Sequence, residues 1–205
     1  MSKAMFAAAA ASGTGALGVG GYYSYQAIKG EPTLLSKLES SLQNHQKILS
    51  VGDAEWSSWS EVYKASKQNK IPEVTHSELP RWCETTLKSH DKSKLDLASA
   101  WCVINARSLA EEIKATSSAS LLSLEGDNTT AWEGAWDFYN QNKNTGGLEI
   151  SDATFKASDS NKTQGGSALK KWCSDLLSKK MYEPLEVKAK ERAEKWCSSH
   201  ASGNS

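Results

Sequence analysis

Four cysteines are the residues with the most distinctive chemistry in this 205-residue chain, and each directly follows a tryptophan: Trp82-Cys83, Trp101-Cys102, Trp172-Cys173 and Trp196-Cys197. The chain has only eight tryptophans, so four such neighbours do not arise by chance. Thiols can bridge, hold a metal, exchange electrons or stay buried. No pair has the C-x-x-C spacing of a zinc or thiol-redox site, and WCET, WCVI, WCSD and WCSS all lack it. His45, His76 and His90 form no ligand pattern, and Cys197 with His200 has no further ligand nearby. Two readings stay open: disulfides, or four reduced thiols in the core, where cysteine is common.

Spacing points to particular pairs. The midpoint between Cys83 and Cys102 falls in the polar run Ser89 to Lys94, a turn signal. The midpoint between Cys173 and Cys197 is Leu185, beside Pro184, which resists continuing a helix. In each half the cysteines stand equidistant from a turn, so an antiparallel helical hairpin brings them face to face. The expected bridges are Cys83–Cys102 and Cys173–Cys197. Closing loops of roughly 20–25 residues contributes about 3 kcal/mol each in the chain-entropy model. Adjacent helical residues differ by about 100°, so Trp and Cys share one apolar face and the indole can shield the bridge.

Other chemistry is sparse. No H-E-x-x-H, G-x-S-x-G or phosphate loop occurs. Glu111-Glu112 and Glu191 with Glu194 read as solvated helix faces paired with Lys and Arg, not as acid/base dyads. The sequons at Asn128 and Asn161 would carry glycan only in a eukaryotic secretory pathway. Lys plus Arg equals Asp plus Glu at 24 each, which argues against nucleic acid as a partner. The expectation is a protein without catalytic residues, cofactor or metal.

The elements that position the cysteines come in two sets. Leu49 to Lys64 (LSVGDAEWSSWSEVYK) resembles Leu122 to Asn140 (LSLEGDNTTAWEGAWDFYN). With Trp56 set on Trp132, Tyr63 falls on Tyr139, and Glu61 and Asp137 stand two before each tyrosine. LPRWC (79–83) then matches LKKWC (169–173), and each half closes on a second Trp-Cys. The apolar spacing is helical throughout: Leu34, Leu35, Leu38, Leu42 and Leu49; Trp56, Trp59 and Tyr63; Ala98, Trp101, Cys102, Ala106 and Leu109, continued to Ile113; Leu169, Trp172, Cys173, Leu176 and Leu177. Asp53 is an N-cap candidate, Thr130 with Glu133 has capping-box spacing, and Gly166-Ser167 reads as the opening of a helix. Strand alternation is nearly absent, with only Leu148 to Phe155 as a short hairpin arm. The run Asn142 to Gly166 reads as a solvated loop and Ser198 to Ser205 as a frayed tail. The predicted class is all-α: an N-terminal membrane or signal helix over 1–30, helical Trp-Cys modules over 31–115 and 116–200, and a tail over 201–205.

The apolar share is 39%, below the ordinary globular range of about 45–50%, and much of it lies before Lys29. Residues 4–28 carry no charge. As a helix these 25 residues reach roughly 37 Å, enough for a hydrocarbon core of about 30 Å. Tyr22, Tyr23 and Tyr25 sit at one end, where amphipathic rings favour the membrane interface. Three readings compete: an uncleaved membrane anchor, a cleaved secretory signal, and a flexible Gly/Ala arm. Lys3 and Lys29 balance each other, so orientation is weakly set; bridged cysteines favour export of the C-terminal region. Gly13, Gly15 and Gly18 match G-x-G-x-x-G but lack a preceding strand and βα alternation. Ala4, Ala8, Ser12, Ala16 and Gly20 form a small-residue stripe that in lipid could drive a homo-oligomer.

The opening MSK with its Ala/Gly span, the tyrosine cluster, W-x-x-W or W-x-x-x-W, L-x-[RK]-W-C and the closing Trp-Cys resemble the large paralogous families of uncharacterised proteins of haemotropic mycoplasmas. The resemblance implies an exported or membrane-anchored protein of a wall-less bacterium, whose one membrane has its outer face exposed. It implies no established activity and carries over no functional residue. The resulting expectation is a surface-displayed or antigenic binding protein, held in the lipid membrane by residues 4–28 and facing an unknown extracellular protein partner. The alternative is a self-associating structural membrane protein.

Overall fold

The computed structural model describes residues 31–151 and 161–199. The expected span over residues 4–28, its small-residue stripe, the glycine motif and the end of the tail lie outside the described residues. Among the described residues the fold is mostly helical, with eight α-helices. These are α1 (Leu34–Ser41), α2 (Trp56–Ala65), α3 (Leu79–Leu87), α4 (Leu95–Trp101), α5 (Leu109–Thr116), α6 (Thr129–Asn142), α7 (Lys162–Ser178) and α8 (Ala189–Trp196). A two-stranded antiparallel ribbon corrects the all-α expectation: β1 (Gln46–Ile48) pairs with β2 (Val103–Asn105), with Lys47 opposite Ile104. The stripe from Ala98 to Ile113 is therefore two helices, not one. It breaks at Cys102, where β-branched Val103 and Ile104 go over to the ribbon and become buried.

Two cores lie within one compact unit. The first gathers Leu34, Leu38, Trp56, Tyr63, Leu79, Cys83, Trp101, Cys102 and Ile104. The second gathers Leu109, Ile113, Trp132, Tyr139, Leu169, Cys173, Trp196 and Cys197. Helix α5, which the sequence division at 115/116 assigns to the first half, thus packs in the second core. Its place there mirrors that of α1 in the first. Thr33 caps α1 and Ser108 caps α5, and the Leu34 N–H donates to Ser89 O at 2.9 Å as the Leu109 N–H donates to Lys179 O at 2.8 Å. Leu49 N–H to Cys102 O (2.9 Å) likewise has its counterpart in Leu122 N–H to Cys197 O (2.8 Å). The ribbon also recurs in reduced form, as a bridge between Leu121 and Ser198 with Ser199 N–H donating to Ser120 O. Ser198 is 4% exposed, so the tail is held two residues further than the expected fraying point.

Capping differs from the sequence reading. Asp53 does not cap α2; its carboxylate folds back to accept from the Ser50 N–H and pairs with Lys47 at 3.2 Å. Thr130 and Glu133 form no capping box, because α6 already starts at Thr129 and Glu133 accepts from the Thr163 hydroxyl instead. The box that does form is Ser108 with Glu111 on α5. Residues 148–151 form no strand; residues 152–160 of the expected hairpin arm lie outside the described set.

Gly166-Ser167 does not open α7. The helix starts at Lys162 with Asn161 as its cap, so Gly165 and Gly166 are buried inside it. They are there for closeness. A Cβ on Gly165 would stand 2.2 Å from the Trp136 ring, and one on Gly166 would stand 3.0 Å from the backbone of α6. Exposed Gly134 on α6 has nothing within 4 Å of a Cβ. Gly165→Ala should therefore cost about 1–3 kcal/mol by overpacking. Gly134→Ala should stabilise by about 0.5–1 kcal/mol through helix propensity. Urea unfolding of the two variants checks both signs.

Candidate functional site

The bridges are built by helix ends. Cys83 lies in the middle of α3, Cys102 is the C-cap of α4, and a 3₁₀ turn over Lys92–Lys94 reverses the chain between them. Asp91 opens that turn by accepting from the Ser93 N–H at 3.1 Å. Cys173 lies in α7 and Cys197 is the C-cap of α8, with Pro184 in the connection. The sulfurs join Cys83 to Cys102 and Cys173 to Cys197, with Cα separations of 5.5 and 5.7 Å. All four residues are fully buried and none of the cysteines is free. The pairs brought to disulfide distance are the ones that the turn midpoints indicate.

Each bridge adjoins an aromatic clasp. The Trp101 indole N–H donates to Asn69 O at 2.6 Å, and the Trp196 indole N–H donates to Leu148 O at 2.6 Å. Tyr63 meets Trp101 edge-on at 4.7 Å and 87°; Tyr139 meets Trp196 at 5.1 Å and 85°. Such edge-to-face pairs are worth about 0.5–1.5 kcal/mol beyond area burial. The tyrosine hydroxyls finish the clasp: Tyr63 accepts from Ile71 N–H and donates to Val74 O, and Tyr139 accepts from Ile150 N–H. The irregular stretches between the second and third helices of each half are thus tied to the core by side chains. The other tryptophan of each pair, Trp82 or Trp172, is half-buried, so it shields less than the sequence suggests.

Of the acidic residues singled out in the sequence, Glu111, Glu112 and Glu194 make structural contacts. Glu111 completes the α5 cap, Glu194 pairs with Lys190 at 3.8 Å, and Glu191 is exposed. Glu112 accepts from the Asn105 amide at 2.9 Å and pairs with Arg107 at 3.1 Å. These contacts hold its carboxyl below the usual glutamate range, the Asn105 hydrogen bond most of all. Lys47 bridges Asp53 and Glu55 and keeps the Glu55 carboxyl low; for Asp53 the Ser50 N–H matters most. Among the described residues no three His, Cys, Asp or Glu side chains converge as a metal would require. No helix of the described residues is long and apolar enough to cross a membrane.

One concave feature of the second half stands apart from these pairs. A cleft of about 80 Å³ lies between α7 and α8, with Trp172, Leu185 and Arg192 in its lining. Sequence reasoning misses it. The available signal is a comparison of the halves, since Arg192 stands four residues before its closing tryptophan where Leu97 stands before Trp101. No protein-family model, curated protein or solved structure matches the chain.

Two outcomes test the site. Replacing Cys83 and Cys102 together by Ala should cost about 3 kcal/mol in denaturant unfolding, the loop-closure value for their separation. Glu112→Gln should destabilise near neutral pH. A carboxyl held low in the fold contributes stability that is complete above its unfolded value of about 4.3 and lost as pH falls through the folded one. The stability gap between variant and native chain, read from urea midpoints, should therefore close on acidification.

Proposed function

We propose that the chain is a membrane-anchored surface protein whose exported region presents two related helical modules to a protein partner, without catalysis. The observation that carries this reading is the pair of closed, fully buried bridges. Disulfides of this kind persist in oxidising surroundings and are rare in reducing cytosol. The uncharged segment 4–28 supplies an anchor of sufficient length. The recurrence of caps, clasps and bridges supports a duplicated module, with the second beginning near Ser108. The resemblance to the haemotropic mycoplasma families fits the same location. On this reading the described ion pairs and caps are structural.

Intact mass of the natively expressed chain, alkylated with and without prior reduction, should show label only after reduction. Proteolysis of intact cells should degrade the region beyond Glu31. A chain that takes label unreduced, or resists protease until the cells are lysed, would overturn the reading.

A further inference from the structure

We propose that the chain is the substrate of a thiol–disulfide oxidase, which installs both bridges before each core closes, and that no isomerase takes part. The proposal deepens the reading of an exported, bridged protein and rests on it. Its first support is burial. Cys83, Cys102, Cys173 and Cys197 are fully buried. Exchange requires a thiolate to reach a disulfide sulfur, so no oxidant or isomerase has access to these atoms in the folded chain. The oxidation therefore precedes the packing of Trp101 and Trp196 over the finished cores. A pairing that is native from the start is then locked in as the core closes.

The second support is connectivity. The first cysteine pairs with the second and the third with the fourth, at separations of 19 and 24 residues. The four crossed pairs span about 70 to 115 residues, and the chance of closing a flexible loop falls with about the 3/2 power of its length. On that scaling roughly four of every five first bridges are native in a chain without structure. The first native bridge also decides the second, because the two cysteines left over are each other's partners. Export from an N-terminal anchor sharpens the choice further, since Cys102 emerges well before Cys173.

The third support is that each loop carries a turn of its own. Between Cys83 and Cys102, the Asp91 carboxylate accepts from the Ser93 N–H at 3.1 Å and from its hydroxyl at 2.6 Å. Between Cys173 and Cys197, the Glu183 N–H donates to Lys180 O at 2.9 Å, and the Glu183 carboxylate accepts from the Lys180 N–H at 3.2 Å. These contacts join residues two or three apart, so they need no core and bring the native partners together early. The chemistry then balances without any further reagent. One cysteine thiolate attacks the oxidase disulfide and displaces one of its sulfurs. The partner thiolate attacks the chain's own sulfur in that mixed disulfide, and the new Sγ–Sγ bond forms. The oxidase leaves as its dithiol, carrying the two electrons and two protons that the cysteines give up.

The test starts from the full chain, reduced and unfolded in urea with a mild detergent. It is oxidised with a disulfide-carrying oxidase of thioredoxin type, quenched by alkylation at intervals and mapped by peptide mass. Among one-bridge chains, Cys83–Cys102 and Cys173–Cys197 should outnumber the crossed pairs by about four to one. Crossed pairs in equal or greater number would overturn the proposal. After dilution from urea, added disulfide isomerase should leave the yield of the natively bridged chain unchanged; a severalfold rise would overturn it. The chain with Cys173→Ser and Cys197→Ser should close Cys83–Cys102 at the native rate, whether or not its second half folds, and severalfold slower closure would count against it equally. The folded, oxidised chain should not exchange with reduced glutathione until urea is restored; exchange without urea would remove the argument from burial and with it the proposal. Alkylation of the natively expressed chain reports whether the cell bridges the protein, whereas this oxidation reports how the pairs are chosen, so the two failures are distinguishable.

Discussion

A tryptophan whose indole N–H is pinned to a loop carbonyl, beside a buried bridge, is the interaction on which each half depends. The chain is poor in apolar residues and its helices are short, so it buries limited surface per residue. Trp101 and Trp196 address that shortage twice over. Each fills a large part of its core, and each anchors a stretch that has no ladder of its own to satisfy its backbone. The neighbouring cysteine fixes the end of the same helix against the preceding one. Because Trp and Cys are adjacent, one helix terminus delivers the covalent and the aromatic constraint together.

The halves share this frame and diverge around it. In the first, the ribbon runs three residues on each side; in the second it shrinks to one bridge and two flanking hydrogen bonds. In the second, α7 gains two turns ahead of Leu169 and closes on α6 through its glycines. The longer connection after α7 does more than shape a cleft. Tyr182 within it packs against the first core while Met181 packs against the second, and the Met181 N–H donates to Arg107 O. One of the segments that differ between the halves thus also joins them.

The bridges were legible because they rest on local facts, a neighbour pair and a turn at the midpoint. Helices with a strong stripe, such as Leu34 and Leu38 or Leu169 and Leu177, were legible for the same reason. The ribbon was not. Gln46-Lys47-Ile48 shows no alternation, and its pairing is set by a strand far along the chain. Gly165 and Gly166 misled because glycine signals both a helix boundary and a close approach, and only the Trp136 ring opposite them decides which. The correspondence of α1 with α5 was hidden because LLSKLESS and LAEEIKAT share little beyond a leading leucine and a capping hydroxyl before it. The cleft is legible only once the halves are superposed by their closing tryptophans, because an isolated arginine on a helix carries no signal.

Both covalent links join near neighbours, and neither crosses from one half to the other. If the chain were stretched between its ends, tension would pass through each sulfur pair and bypass the segment enclosed by it. Helices α4 and α8 would bear no load, and extension would stop short by the contour of two closed loops. The yielding parts would be α1, α2, α5, α6 and the stretches of α3 and α7 ahead of Cys83 and Cys173, so a tethered molecule of this design would lengthen in stages and keep two closed loops for as long as the bridges stay oxidised.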